Sequence, residues 1–272
     1  MDAHPVTVLL RAGSAELRIE PAAGARWTSW RVAGLQLLTT ADVPLPAGMS
    51  GGNFVMAPFA GRLGRGRLEL GGELHQLPVL APPHAIHGTV SERPWQVLEQ
   101  TADRVRVGVD LGPDWPARGR VEQRLELRED RLTSELVVTA DEPMPVTAGW
   151  HPWFSRQLSR GGPAQWLLEG GQQYVRGADG LPTGELVDRQ PGPWDDCFRG
   201  FAGAPGLRWD GALELHVESS ADHWVLFDER PGELCLEPQT GPPDAPRLGA
   251  AARLAAGEST TLSCTWRWTP LG

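Results

Sequence analysis

Two short segments of the sequence carry side chains that are suited to moving protons. The first places His151 next to Trp150, and the second places Glu237 between Leu236 and Pro238. A histidine titrates near neutral pH by its own nature, and a glutamate does so once burial among apolar groups raises its pKa. The two segments therefore predict a general acid and a general base.

Each of the two residues also has an ordinary structural interpretation. Glu237 belongs to an alternating segment in which it would share a strand face with Cys235, and such a glutamate can simply face solvent. His151 could be a core histidine whose hydrogen bonds are satisfied. Trp153 follows two residues later, and an indole face can stack on the C–H face of a sugar ring or pack in a core.

Two further segments offer possible site residues. His84 and His87 form an HxxH spacing, which binds zinc when other ligands complete the site, and His151 and Glu237 could be those ligands. Arg62 offers several fixed donors that suit sugar oxygens or a carboxylate. A surface position is the alternative for Arg62.

Asp195 and Asp196 are adjacent, which makes them alternatives to one another. Neighbouring residues of an extended segment point to opposite faces, so we expect only one of the two carboxylates to enter a site. The pair is also typical of a turn, because Pro193 and Trp194 precede it.

Composition excludes several kinds of function. The chain has 272 residues and no lysine, so its 25 basic residues are all arginine. Schiff-base aldolases, pyridoxal phosphate enzymes and P-loop nucleotide enzymes each need a lysine amine and are excluded. The net charge of −9 argues against nucleic acid or an anionic membrane as a partner, because both require clustered positive charge.

Cysteine usage and hydropathy indicate the compartment. The three cysteines, Cys197, Cys235 and Cys264, have no paired spacing, so they predict neither a disulfide framework nor a CxxC site. No run of about 18 apolar residues occurs, and the first residues do not resemble a targeting segment. We expect a soluble, cytoplasmic protein without a membrane partner.

Apolar residues alternate with polar ones through most of the readable segments, which is typical of half-buried strands. Residues 120–128 and 131–139 predict a hairpin, and Leu262, Cys264, Trp266 and Trp268 predict a closing strand with one apolar face. We expect the Pro- and Gly-rich segments 42–52 and 200–206 to be loops. The sequence therefore predicts an all-β chain, a large antiparallel β-sandwich, in a single domain over residues 1–272.

Taken together, the segments resemble the aldose 1-epimerase (galactose mutarotase) family. The resemblance rests on residues 59–64, 84–88, 149–154, 194–198 and 234–245, which occur in the family's order. It implies a galactose mutarotase-like supersandwich with a sugar site on a concave sheet face. It also implies that no metal or cofactor takes part.

The resemblance further implies roles for individual residues. Glu237 would be the general base and His151 the general acid. His87 and Arg62 would bind the sugar, and so would Asp195, because the family's aspartate stands three residues before a Phe, here Phe198; Asp196 is the fallback.

Two positions depart from the family pattern. Gly61 stands where the family carries Asn, and Trp153 stands where Tyr is commoner, so a phenol hydroxyl is missing. We retain Trp153 as a sugar-binding candidate because of its aromatic face.

The predicted function is an aldose 1-epimerase that interconverts the α and β anomers of a hexose without a cofactor. One alternative is a hexose 6-phosphate 1-epimerase, with a phosphate cradle made by Arg62, Arg65 and Arg67. A second is a sugar-binding protein without catalysis. A glycosidase that uses Glu237 with one of the two aspartates ranks last. The identity of the sugar and the oligomeric state stay open.

Overall fold

The computed structural model describes residues 7–40 and 51–271. The predicted loop over residues 42–52 therefore lies mostly outside the described residues. The loop predicted over residues 200–206 joins the end of one strand to the start of the next. No helix among the described residues has the length and apolar composition needed to cross a membrane.

Strands account for nearly all of the regular secondary structure in the described residues. One short α-helix, α1, covers Ala245–Leu248, and single 3-10 turns cover Pro21–Ala23 and Gly64–Gly66. The strands are β1 (Val8–Ala12), β2 (Ala15–Glu20), β3 (Arg26–Val32), β4 (Leu35–Gln36), β5 (Asn53–Met56), β6 (Arg62–Leu63), β7 (Arg67–Leu70), β8 (Glu73–Gln76), β9 (Ala85–Ile86), β10 (Gln96–Gln100), β11 (Arg104–Asp110), β12 (Gly119–Leu127), β13 (Arg131–Ala140), β14 (Met144–Val146), β15 (Gly149–Ser155), β16 (Gln165–Leu167), β17 (Gly170–Arg176), β18 (Pro182–Asp188), β19 (Asp195–Phe201), β20 (Gly206–Trp209), β21 (Leu213–Ser219), β22 (His223–Phe227), β23 (Glu233–Gln239), β24 (Ala252–Leu254) and β25 (Ser259–Pro270).

Two large antiparallel sheets form the body of the fold, as the sequence predicts. The larger sheet has 11 strands in the order β1-β2-β3-β5-β15-β23-β22-β19-β17-β18, with β4 paired to β3. The second sheet has 8 strands in the order β10-β11-β12-β13-β25-β21-β20-β16. Three two-stranded sheets, β14 with β24, β6 with β9 and β7 with β8, complete the pairing.

The alternation of apolar and polar residues along its strands explains how the second sheet forms and packs. The predicted hairpin is confirmed, since β12 and β13 pair in antiparallel register on either side of residues 128–130. β25 pairs with β13, and the four alternating side chains predicted for its apolar face are all buried. One face of this sheet is therefore turned towards the core, and the other carries charged residues.

Tryptophans dominate the core between the sheets. Trp27 and Trp150 of the larger sheet pack against Trp266 of the second sheet, with ring centroids 5.8 and 6.5 Å from its ring. Gln123 of β12 is fully buried, and its side-chain oxygen accepts hydrogen bonds from the indole N–H groups of Trp27 and Trp150 at 2.9 and 3.0 Å. Its amide nitrogen donates to the carbonyl of Ala25 at 3.2 Å. A single amide thus joins the two sheets.

The central strands β15 and β23 are buried on both faces. In β15, Trp150 and Phe154 point into the core between the sheets, whereas His151 and Trp153 point to the opposite face. The unusual burial follows from the position of these strands at the centre of the larger sheet, under an additional layer of loops and β6–β9. That second buried face is where the site lies.

We predict that Gln123→Leu destabilises the fold by about 2–4 kcal/mol, because it leaves two indole N–H groups and the carbonyl of Ala25 buried without partners. The measurement is urea unfolding followed by tryptophan fluorescence. The matched control is Gln165→Leu at an exposed strand position, which should change the free energy of unfolding by no more than about 0.5 kcal/mol. Equal effects of the two substitutions would contradict the assignment of Gln123.

Candidate functional site

A cavity of about 180 Å³ lies over the centre of the larger sheet. Its floor comes from five neighbouring strands, β15, β23, β22, β19 and β17, and one wall comes from β6 and β9. All six residues predicted for the site line this cavity: Arg62, His87, His151, Trp153, Asp195 and Glu237.

His151 and Glu237 lie directly opposite one another on adjacent strands. The register pairs Gly149 with Gln239 and Trp153 with Cys235, which sets His151 across from Glu237. The imidazole Nε2 lies 3.3 Å from the carboxyl Oε1, and both side chains are buried. Two residues 86 positions apart in the chain are thus joined by strand pairing alone.

The small sheet of β6 and β9 brings Arg62 and His87 to the cavity together. Arg62 pairs with Ile86 across the two strands, and the backbone N–H of His87 donates to the carbonyl of Gly61 at 2.9 Å. The ring of His87 stands perpendicular to that of His151, with centroids 4.8 Å apart. One histidine of the HxxH segment, His87, therefore lies beside His151 and Glu237.

Glycines on either side of this sheet are required by its geometry. Gly88 has a φ of +79°, and a Cβ there would lie 2.0 Å from the carbonyl oxygen of Ala57. Gly61 has a φ of +66° in the left-handed region. Glycine and asparagine adopt that region more readily than other residues, which explains how Gly61 can stand where the family carries Asn.

Asp195 is held by two arginines. Its Oδ2 accepts a hydrogen bond from Arg62 at 3.0 Å and another from Arg176 at 3.3 Å. Asp196 also lines the cavity and lies 3.5 Å from Arg176. The prediction that only one of the two aspartates borders the site is therefore wrong: strand β19 begins at Asp195, at the cavity rim, where Arg176 reaches both carboxylates. Asp195 is the one that contacts Arg62.

The indole of Trp153 has both faces covered. One face stacks on His151 with centroids 5.0 Å apart, and the guanidinium of Arg230 lies over the ring at 4.6 Å from its centroid. The structure therefore does not leave an open face for a sugar ring, contrary to the stacking role expected for Trp153. Trp153 nevertheless lines the cavity, with 4% of its surface exposed.

His84 lies outside the cavity. Its Nδ1 accepts a hydrogen bond from the backbone N–H of Arg65 at 3.1 Å, and its Nε2 is 2.9 Å from the carbonyl of Asp179. Both ring nitrogens are thereby used in fixing two loops. The four-ligand zinc set considered from the HxxH spacing does not assemble, because His84 is not near the other three residues.

Three possible metal ligands also meet in the cavity floor. In the described part of the chain, His151, Cys235 and Glu237 have donor atoms within 4.8 Å of one another. The Nε2 of His151 and the Oε1 of Glu237 already contact one another at 3.3 Å, and burial raises the pKa of the Cys235 thiol well above its ordinary value. We interpret the group as a proton-sharing pair with a buried thiol beside it.

Comparison with known proteins identifies the family of the chain. The family described as aldose 1-epimerase matches residues 8–199 of the sequence. The chain belongs to the aldose 1-epimerase family. No match is found among curated proteins.

Solved structures of similar fold cover nearly the whole chain. A candidate aldose 1-epimerase from Escherichia coli K12 superposes with a TM-score of 0.85 at 22% identity, over 98% of this chain and 99% of the other. A galactose mutarotase-like protein from Clostridium acetobutylicum gives 0.84 at 18% identity, over 97% and 95%. Galactose 1-epimerase from Lactobacillus acidophilus gives 0.80 at 18% identity, over 98% and 95%. At these identities the likeness shows the fold.

Burial controls the protonation of the central pair in this epimerase-family site. Desolvation lowers the pKa of His151 well below its ordinary value, and the nearby His87 and Arg26 lower it further. Desolvation raises the pKa of Glu237 well above its ordinary value, and Asp195 adds to this while Arg62 opposes it. Both shifts favour the uncharged forms of the pair, a protonated carboxyl and a neutral imidazole.

His87 is neutral as well. Desolvation and the guanidinium of Arg62 lower the pKa of His87 to about 3. Its Nδ1 is buried and has no hydrogen-bond partner in the structure. A neutral imidazole keeps both a donor and an acceptor nitrogen, which suits contact with a hydroxyl group.

Sequence reasoning missed several residues that line the cavity. Tyr174 and Arg176 project into it from one face of β17, and Arg230 reaches it from the turn before β23. The alternation in β17 is a signal that could have grouped Tyr174 with Arg176. Nothing in the local sequence marks Arg230.

We predict that the stability gained by Glu237→Gln grows with pH. Below pH 4.5, the ordinary glutamate value, the carboxyl is protonated in both the folded and the unfolded chain. Above it, only the unfolded chain releases the proton, so the wild type loses up to about 1.4 kcal/mol per pH unit until the raised pKa is reached. Glutamine does not titrate and escapes this loss.

The measurement is urea unfolding of both proteins at pH 5 and pH 8. The exposed strand residue Glu185, changed to Gln, controls for the loss of a charge. A stability difference between wild type and Glu237→Gln that is the same at both pH values would contradict the raised pKa.

Proposed function

We propose that this chain is an aldose 1-epimerase that interconverts the α and β anomers of a neutral hexose. The observation that carries the proposal is the buried contact of 3.3 Å between His151 and Glu237, inside a cavity also lined by Arg62, His87 and Asp195. Family membership supports the reaction class. The choice of substrate and the residue roles are our inference.

In the proposed mechanism, Glu237 accepts the proton of the anomeric hydroxyl while His151 donates a proton to the ring oxygen. The bond between C1 and the ring oxygen breaks, leaving an open-chain aldehyde. Rotation about C1–C2 presents the other carbonyl face, and the two proton transfers reverse as the ring closes. Only protons move between protein and sugar, so no redox partner or cofactor is required by the chemistry.

The resting pair must first move its proton. With one proton on Glu237 and a neutral His151, transfer across the 3.3 Å contact yields a carboxylate and an imidazolium, the form in which each can act. Arg62 favours the carboxylate form of Glu237. We propose that sugar hydroxyls at the cavity complete this stabilisation by donating hydrogen bonds to the carboxylate.

Arg62, Asp195, His87 and Trp153 are proposed to bind the sugar. The Oδ2 of Asp195 is occupied by arginine, which leaves Oδ1 to accept from a hydroxyl. His87 lines the cavity with a neutral imidazole. Trp153 would contact the sugar through the edge of its indole, since its two faces are covered.

The charges around the cavity favour a neutral sugar over a sugar phosphate. Each arginine that lines the cavity is paired with a carboxylate: Arg62 and Arg176 with Asp195, and Arg230 with Glu233. The phosphate cradle considered from Arg62, Arg65 and Arg67 is not formed, because Arg65 and Arg67 line a separate groove.

A cytoplasmic location and a single domain over residues 1–272 are part of the proposal. The three cysteines are buried and unpaired, which agrees with a reducing compartment.

Glu237→Gln and His151→Asn should each lower the rate of mutarotation by about 10²- to 10⁴-fold, since each removes one proton-transfer group. The assay is polarimetry of freshly dissolved α-anomer, corrected for the spontaneous rate. Glu185→Gln and His216→Asn, which alter the same residue types outside the cavity, are the matched controls. Full activity of both site variants would refute the mechanism.

The substrate class is tested by NMR exchange between anomers, with glucose, galactose and their 6-phosphates compared at equal concentration. Faster exchange of the free sugars supports the proposal. Acceleration of the phosphates alone would replace it by a hexose 6-phosphate 1-epimerase. Sugar binding without acceleration of any anomer would show a sugar-binding protein.

A further inference from the structure

Five planar groups form one column that runs through the cavity wall. The ring of His151 is stacked between Phe54 and Trp153, with centroids 4.7 and 5.0 Å away and an interplanar angle of 22° on each side. Guanidinium groups lie at the two ends, Arg26 at 4.8 Å from the centroid of Phe54 and Arg230 at 4.6 Å from that of Trp153. The column therefore has a cationic group at each end and aromatic rings in the middle.

The two ends of the column are built differently. Arg26 is buried and donates to the carbonyl of Gly51 at 2.8 Å. Burial lowers the pKa of Arg26 to about 10, which leaves it charged at neutral pH. Arg230 lies nearer solvent, pairs with Glu233 and also lies over Phe227 at 5.7 Å.

We infer that Arg26 and Arg230 are positioning residues for His151, because their guanidinium groups pack on the two aromatic rings that hold its imidazole in one orientation. The inference rests on the proposed role of His151 as general acid. It adds two residues that lie outside the segments by which the family resemblance was established.

The clamp has a steric and an electrostatic part. Rotation of the imidazole is restricted by the rings of Phe54 and Trp153 stacked on it, so Nε2 stays directed at Glu237. Each guanidinium attracts the face of the aromatic ring that it covers, which holds Phe54 and Trp153 in their stacked positions beside His151. Placing an imidazolium between two guanidinium groups is unfavourable in a buried site, so the proton is released more readily.

Other groups that face His151 also affect its protonation. His87, perpendicular to the ring and neutral, comes from the loop after β9, and Glu237 and Cys235 come from β23. A Glu237 carboxylate would favour the imidazolium, whereas the thiol of Cys235 is uncharged. The pKa of His151 is lowered by burial, His87, Arg26 and Arg230, in that order. The two arginines therefore oppose Glu237 in setting where the shared proton rests.

The test removes the exposed end of the column. Arg230→Gln deletes the charge and keeps a polar side chain, whereas Arg230→Lys keeps the charge without the planar group. Arg189→Gln is the matched control, because the guanidinium of Arg189 also lies over an indole, that of Trp194, at 5.9 Å and away from the cavity. Circular dichroism and urea unfolding establish that each variant is folded.

The first readout is NMR titration without substrate, which follows the imidazole of His151, assigned with His151→Asn, and the carboxyl carbon of Glu237. Loss of a nearby cation raises both proton affinities, so in Arg230→Gln the titrations of the pair should move up by about 0.3–1 pH unit. Arg230→Lys should retain most of the wild-type behaviour, and Arg189→Gln all of it.

The second readout is the pH–rate profile of mutarotation. Because the pair works with one proton, both limbs of the profile should move to higher pH in Arg230→Gln. A merely structural role of Arg230 would lower the rate at all pH values without moving the limbs. Unmoved titrations in Arg230→Gln, or an equal shift in Arg189→Gln, would overturn the inference.

The two readouts separate this inference from the proposed function. If the wild type accelerates no anomer exchange, the proposed function fails while the NMR titrations still decide the role of Arg230. If activity is present and the titrations do not move, the column has no electrostatic role and the proposed function is unaffected.

Discussion

The pairing register between β15 and β23 is the constraint on which the rest of the site depends. It places His151 opposite Glu237 and, two residues further along, Trp153 opposite Cys235. If β15 were shifted by one residue in this register, His151 and Trp153 would turn towards the core and Trp150 would turn towards the cavity. The tryptophan core fixes that register from the other side of the sheet, through the amide of Gln123 that binds Trp27 and Trp150.

Burial gives His151 and Glu237 their unusual proton affinities and also makes their charged forms unfavourable. An apolar setting disfavours both charged forms, so it favours a neutral pair with the shared proton on the carboxyl. Charges at the cavity then bias the pair in opposite directions. Arg62 favours the carboxylate of Glu237, and the arginines at the ends of the aromatic column disfavour the imidazolium. This balance places the proton affinities of the two groups under the control of residues that need not touch the sugar.

Much of the fold and the site could be predicted because the relevant signals are local. Alternation identified the hairpin of β12 and β13 and the apolar face of β25, and proton-transfer residues with apolar neighbours marked His151 and Glu237. The predictions that were wrong, and the residues that were missed, depend on contacts between distant parts of the chain. The two faces of Trp153 are covered by His151 and by Arg230, which is distant in sequence. His84 and His87 lie on either side of the short strand β9, and the backbone of His87 is in the left-handed region. The contributions of Arg176 and Arg230 depend on strand order, which composition and period do not encode.

We infer that His151 and Glu237 share one proton, which rests on the carboxyl. Infrared difference spectroscopy between wild type and Glu237→Gln at pH 7, with carboxyl carbons labelled by ¹³C, detects the protonation state of Glu237. We expect a C=O stretch of a protonated carboxylic acid that is lost in the variant and shifts with the label. A carboxylate band for Glu237 at pH 7, with His151 either neutral or protonated, would refute this inference.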